Sequence, residues 1–152
     1  RAAGIPPVID VESVRPNIDA LLSEVDIIIA AQAFPSAYTG YSDLGQAVRE
    51  LAKRFRACLV VATLGEQGSL AVVGRREITT SGFSVQVTDT TGAGDAFRGG
   101  FVSAWLESKG NGDVSDLLVY ANAVAALNCR SLGAGGGLPN KVEVERLLAT
   151  VL

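Results

Sequence analysis

The chain has 152 residues, of which 48% are apolar and 19% charged, and its formal net charge is −3. That length and composition suit one domain with a real hydrophobic core and exclude a disordered chain. The weak acidic balance and the lack of a basic run exclude a general field for nucleic acid, and no apolar stretch approaches the ~20 residues of a bilayer-crossing helix. No signal-peptide pattern opens the chain. Histidine is absent, which removes His-based triads and His metal sites. Cys58 and Cys129 lie in apolar runs without metal-ligand spacing. Both are expected to be small buried hydrophobes, in keeping with a reducing, cytoplasmic setting. The opening Arg1-Ala2-Ala3-Gly4-Ile5 lacks an initiator Met and runs almost at once into a strand-like segment, as a piece of a longer protein would. Residues 1–152 are expected to form a single domain.

Pro7 to Val11 is a short β-branched run suited to a buried parallel strand. Pro16 to Ser23 predicts a short helix, and Val25 to Ala30 the next strand. Ser42 is expected to cap a helix to about Arg54, with Leu44, Ala47, Val48, Leu51 and Ala52 as its apolar stripe. Cys58 to Thr63 is a third strand. Ser69–Val73, Arg76–Thr80 and Ser84–Val87, separated by Gly74 and Gly82, predict an antiparallel hairpin or meander over residues 69–87. A helix then runs to about Lys109, and Asp113 caps another to about Cys129. Gly133 to Gly137 is a loop ended by Pro139, and Asn140 to Leu152 is a last amphipathic helix with Val142, Val144, Leu147, Leu148 and Val151. Strand and helix alternate, which argues for a mostly parallel, Rossmann-like α/β sheet with right-handed crossovers. Ligands of such sheets sit beyond the carboxyl ends of the strands, where Thr63-Leu64-Gly65 and Asp89-Thr90 are expected.

The most informative stretch is Asp89-Thr90-Thr91-Gly92-Ala93-Gly94-Asp95-Ala96-Phe97-Arg98-Gly99-Gly100. It sets two glycines and a carboxylate at the start of a helix, where free N–H groups and the helix dipole favour an anion. Gly92, Ala93 and Gly94 would supply amides to a phosphate, and Asp95 would stand where a hydroxyl nucleophile loses its proton. A Gly-rich turn before a helix is also common for structural reasons alone, and an Asp in a first turn is a good dipole partner. Phe97, Phe101 and Trp105, at i, i+4 and i+8, are expected in the core, and Gly99-Gly100 to pack closely on a neighbour.

This string closely resembles the C-terminal signature of the ribokinase-like carbohydrate kinases, the PfkB family. Thr63-Leu64-Gly65-Glu66-Gln67-Gly68 is similar to the family's Thr-Leu-Gly-x-x-Gly, Gly133–Gly137 with Leu138-Pro139 to its closing loop, and Val8 to Pro16 to its mid-chain Asp-x-x-x-x-Arg-Pro segment. The resemblance implies a ribokinase-like fold and ATP-dependent phosphorylation of a sugar hydroxyl. It makes Asp95 the general base and the Gly92–Gly94 amides the anion hole. It also implies nucleotide contact for Thr63, Gly65, Gly68 and Gly133, adenine facing Asn122 and Ala126, and Mg²⁺ with the ATP. Asp89 and Thr90, with carbonyls of the 133–137 loop, would hold a monovalent cation such as K⁺. Asp89 also reads as a plain strand-end turn residue.

Three departures stand beside the resemblance. The family's Asn-x-x-Glu, whose Glu organises Mg²⁺, is missing from Ala30-Ala31-Gln32-Ala33-Phe34-Pro35-Ser36-Ala37, and Gln32 cannot replace its charge. The family's hydroxyl residue in the closing loop is replaced by Gly137. The resemblance covers the C-terminal half of a kinase, so the half that grips the acceptor is not in the sequence. Expected partners are a small-molecule sugar, ATP and the N-terminal half or a second copy, with no nucleic acid and no membrane. A non-catalytic kinase-like binding or assembly module, and a nucleoside kinase on the same scaffold, remain open alternatives.

Overall fold

The computed structural model describes residues 5–150, so the expected contribution of Val151 to the last helix lies outside the described residues. The chain divides into two compact units: residues 1–65 with 69–79, and residues 66–68 with 80–152.

The first unit is built on strands β1 (Val8–Val11), β2 (Ile27–Ala31), β3 (Leu59–Thr63) and β4 (Ser69–Val73) and on β5 (Arg76–Thr80), which lie side by side in that order. β1, β2 and β3 are parallel, with Ile28 opposite Ile9 and Val60, and β4 runs antiparallel to β3, with Val61 opposite Ala71. The turn at Gly74-Arg75 returns the chain into β5. Helices α1 (Ile18–Leu22), α2 (Ala33–Thr39) and α3 (Leu44–Phe55) belong to this unit. Its core gathers Leu22, Phe34, Val48, Leu51 and Phe55 on Ile28, Ala30, Val60, Ala62 and Val72. Ile27, Ile29 and Val61, which alternate with these, are buried as well. Burial of successive residues is why the central strands read as unbroken apolar runs instead of an alternating pattern.

Four expectations are corrected here. The cap of α3 is Asp43, not Ser42: its carboxylate accepts the Gln46 N–H at 2.7 Å, the reach of a side chain three residues ahead. The segment after β2 forms α2, which the sequence reading lacked; Pro35 is tolerated because it falls in the first turn, where its missing N–H would have had no intrahelical acceptor. Ser84–Val87 is not a strand; the chain leaves the sheet after Thr80, and the Gly82 backbone lies so close to Glu66 that a Cβ would stand 2.3 Å from its carbonyl oxygen. Cys58 is exposed, while Cys129 is buried. Cys58 precedes β3, where its N–H donates to the Asp26 carbonyl at 2.8 Å, so its position in an apolar run did not make it part of the core.

The second unit is helical. α4 (Ala93–Glu107) and α5 (Val114–Asn128) pack against each other, and α6 (Lys141–Leu148) completes a cluster of Ala96, Ala123, Val124, Leu127 and Val144. Gly100 permits the contact: a Cβ there would lie 2.9 Å from Val124 Cβ, whereas one at Gly99 would meet nothing. Phe97 and Phe101 are in the core as expected, and Trp105 is half-buried. Asp113 caps α5 through the Ser115 N–H at 2.8 Å. Asn140 and Glu143 form a reciprocal capping box on α6. Among the described residues, no helix is long and apolar enough to cross a membrane.

Candidate active site

The signature turn delivers the chain into α4 through Gly92, whose φ of 76° is the left-handed region that glycine enters without strain. Glycine is required there on a second ground, since a Cβ would stand 2.4 Å from the Ala134 carbonyl oxygen. The Ala93 N–H donates to the Thr90 carbonyl at 3.1 Å, and the Ala96 N–H to Gly92 at 2.9 Å. Among the described residues, the amides of Gly92, Gly94 and Asp95 have no backbone acceptor. The Ala93 amide is thus engaged within the turn, whereas the Asp95 amide beside it is open. Gly94 is exposed, and a Cβ on it would meet no atom within 4 Å. The chain's own packing therefore gives no reason for glycine at 94.

The Asp95 side chain is 67% exposed and pairs with Arg98 one turn along α4. An ion pair this open contributes little to stability and costs little to break, so the carboxylate can turn to another partner.

Asp89 ties two loops together. Its Oδ1 accepts the Thr91 N–H at 2.9 Å and the Thr91 hydroxyl at 2.7 Å, and its Oδ2 accepts the Gly133 N–H at 2.8 Å. The Thr91 amide first, then the Gly133 amide and the Thr91 hydroxyl hold its carboxyl below the usual carboxylate value. The Thr88 and Asp89 amides donate in turn to Cys129 at the end of α5. Thr90, the other expected cation residue, supplies its carbonyl to the Ala93 amide.

In the first unit, Thr63 ends β3 with its hydroxyl 3.4 Å from the Ala30 carbonyl it donates to, and Gly65 opens a short 3₁₀ turn with φ of 60°. In the second unit, Gly68 is buried where a Cβ would lie 2.1 Å from the Thr80 carbonyl oxygen, so packing alone requires that glycine. Asn122 and Ala126 lie one turn apart on α5. The Asn122 amide donates to the Thr80 hydroxyl at 2.9 Å and reaches the Ser81 carbonyl at 3.4 Å, which makes it a buried link within the protein. A cavity of about 740 Å³ lined by Phe83, Ala104, Leu117, Tyr120 and Leu148 includes none of the expected site residues. It lies toward the far end of α4, roughly 15 Å along the axis from Asp95.

The sequence reading missed Asn128, which is fully buried at the end of α5. Its amide donates to the Ala134 carbonyl at 3.1 Å and reaches the Thr91 carbonyl at 3.5 Å. The available signal was a polar residue beside Leu127 on the apolar side of an otherwise buried helix.

Five strands in a mixed sheet, flanked by helices and followed by a glycine-initiated helix with an acid in its first turn, define a ribokinase-like α/β protein. Residues 1–141 match the pfkB family of carbohydrate kinases, and the chain belongs to that family. It is 42% identical over 87 residues to a ribokinase of Bacillus subtilis, a match covering 57% of this chain and 29% of that protein. The structure of Arabidopsis thaliana ribokinase complexed with ribose and ATP superposes with a TM-score of 0.83 at 31% identity, covering 97% of this chain and 48% of that one. A fructokinase double mutant from Vibrio cholerae, solved with fructose, ADP and potassium ion, matches with a TM-score of 0.78 at 27% identity, covering 85% of this chain and 42% of that one. This chain spans less than half the length of each of these proteins.

Proposed function

We propose that this chain is the nucleotide-binding and catalytic half of an ATP-dependent sugar kinase. The observation that carries the reading is the start of α4: an exposed carboxylate at Asp95 beside a glycine whose Cβ space is open and beside amides without acceptors. Family membership and the ribose and ATP held by the Arabidopsis ribokinase support it.

Phosphoryl transfer needs positioning, charge neutralisation and an acceptor for the hydroxyl proton. The Gly92, Gly94 and Asp95 amides would face the migrating phosphoryl group, with the dipole of α4 adding to their field. Asp95 would take the proton from the sugar hydroxyl as its oxygen bonds to the γ-phosphorus. The bond from that phosphorus to the β–γ bridging oxygen breaks, and ADP leaves with the electron pair. Thr63 and Gly65 in the first unit, and Gly133 and Ala126 in the second, would each offer the nucleotide a contact within their own unit, and buried Gly68 and Asn122 would hold the backbone at Thr80 and Ser81. Among the described residues, no cluster of three or more carboxylate, Cys or His groups could hold a metal, and α2 occupies the segment that lacks Asn-x-x-Glu. Mg²⁺ would arrive with the ATP, held mostly by water and phosphate oxygen. Bound in that way, Mg-ATP supplies the phosphoryl group and neutralises its charge.

The test is phosphoryl transfer from ATP by the full-length protein over a panel of sugars and nucleosides, with ATP affinity measured by calorimetry. Turnover of a sugar is the expected result, while turnover of nucleosides alone would move the acceptor class. ATP binding without turnover of any acceptor would favour a non-catalytic binding module, and no ATP binding with or without Mg²⁺ would remove the kinase reading.

A further inference from the structure

The cation expected between Asp89 and the closing loop would compete for oxygens that already accept hydrogen bonds. Asp89 Oδ1 takes two donors from Thr91, and Oδ2 takes the Gly133 amide. The carbonyl oxygens of Ala134 and Thr91, one from each loop, converge on Asn128 Nδ2 at 3.1 and 3.5 Å. An NH₂ group presents its hydrogens where a cation would need bare oxygen. The amide is held in this sense, because turning it over would set Oδ1 against both carbonyls. Oδ1 itself is buried with no hydrogen-bond partner among the described residues.

A second observation is independent of the side-chain amide. Residue 137 is glycine, and a Cβ there would stand 2.2 Å from the Asn128 carbonyl oxygen. No side chain fits at 137 without moving the loop, so that position offers no side-chain oxygen to a cation. These contacts set N–H and O–H donors against the oxygens a monovalent cation would need.

We infer that the Asn128 side-chain amide does the cation's work in this chain. It ties the turn before α4 to the Gly133–Gly137 loop from inside, and the phosphate-facing turn is thereby independent of monovalent cations.

Thermal unfolding and ATP affinity of the full-length protein should be measured in potassium, sodium and choline chloride at equal ionic strength. The expected midpoints agree to within about 1 °C, because a cation without a site adds no binding stabilisation. Asn128→Ala removes the donor and frees both carbonyls. Its midpoint should fall by several degrees, and potassium should then restore part of the loss where choline does not. Asn128→Asp, which faces the same carbonyls with a carboxylate, should acquire the same potassium dependence. Crystals of the parent protein soaked in thallium(I) should show no anomalous peak beside the Ala134 carbonyl. A potassium-specific rise in the parent midpoint, or a thallium peak at that carbonyl, would overturn the inference, and neither measurement needs a variant to fold. These readouts are separate from phosphoryl transfer, so failure of the kinase reading and failure of this one are distinguishable.

Discussion

Gly92 and Gly94 flank Ala93, and substitution by alanine should affect them in opposite ways. Gly92→Ala puts a side chain at a φ of 76°, which costs about 1–2 kcal/mol for a non-glycine residue. The new Cβ also falls 2.4 Å from the Ala134 carbonyl oxygen, and moving that carbonyl strains its 3.1 Å bond from Asn128. A buried hydrogen bond lost in this way costs about 1 kcal/mol more. The total, about 2–3 kcal/mol, corresponds to a melting midpoint lower by roughly 4–12 °C. Gly94→Ala meets neither cost: it is helical and its Cβ is in open space. In the first turn it should gain up to about 0.5 kcal/mol of stability. If a phosphate approaches that backbone, the same methyl group lies in its way, and ATP affinity should fall at least about tenfold, or ~1.4 kcal/mol. Denaturant melts paired with ATP calorimetry on the full-length protein read both quantities. Gly94→Ala with the parent's ATP affinity would refute the assignment of this turn to phosphate, and Gly92→Ala with the parent's stability would refute the packing argument.

Asp95→Asn should leave the melt nearly unchanged, because the Arg98 pair is exposed, and should lower turnover by about 10²–10⁴-fold with ATP affinity little altered. Undiminished turnover would remove Asp95 as the base. The Asp89 carboxyl lies below its ordinary value of 3.8 in the folded state, so the stability it contributes is fully present above that value and is lost as pH falls through the lower folded one. Asp89→Asn should flatten the acid limb of a stability profile below about pH 4, and an unchanged limb would mean that the loop tie is not maintained in solution. Gly100→Ala should destabilise by about 1 kcal/mol, because overpacking against Val124 Cβ at 2.9 Å outweighs the gain in helix propensity. Gly99→Ala, with open space at its Cβ, should stabilise slightly. Melts that move in the same direction would contradict the α4–α5 packing.

The parallel strands were legible because Ile27–Ala30 and Leu59–Ala62 are apolar throughout. α4 and α5 were legible from the Gly92 entry, the Asp113 cap and their apolar spacing. α2 was not, because Pro35 reads as a helix breaker and seven residues are too few to display a period, although Phe34 and Tyr38 share one face. Ser84–Val87 looked like a strand because alternation is local, while a ladder needs a partner that the sequence does not display. Asp95 could be found from its neighbours in the chain. Asp89 could be marked as important, but its partner at Gly133 lies 44 residues on, beyond the reach of any local pattern. Asn128 was hidden for the same reason: a polar residue on a helix reads as surface until the carbonyls of Thr91 and Ala134 are brought to it.

The tie from Asp89 to Gly133 also sets an order on biosynthesis. A ribosome that has made α4 has produced the acid and its glycines, yet the turn before them lacks its second anchor until translation passes the closing loop. A nascent chain arrested in α5 would therefore carry every residue of the signature without the geometry that orders them.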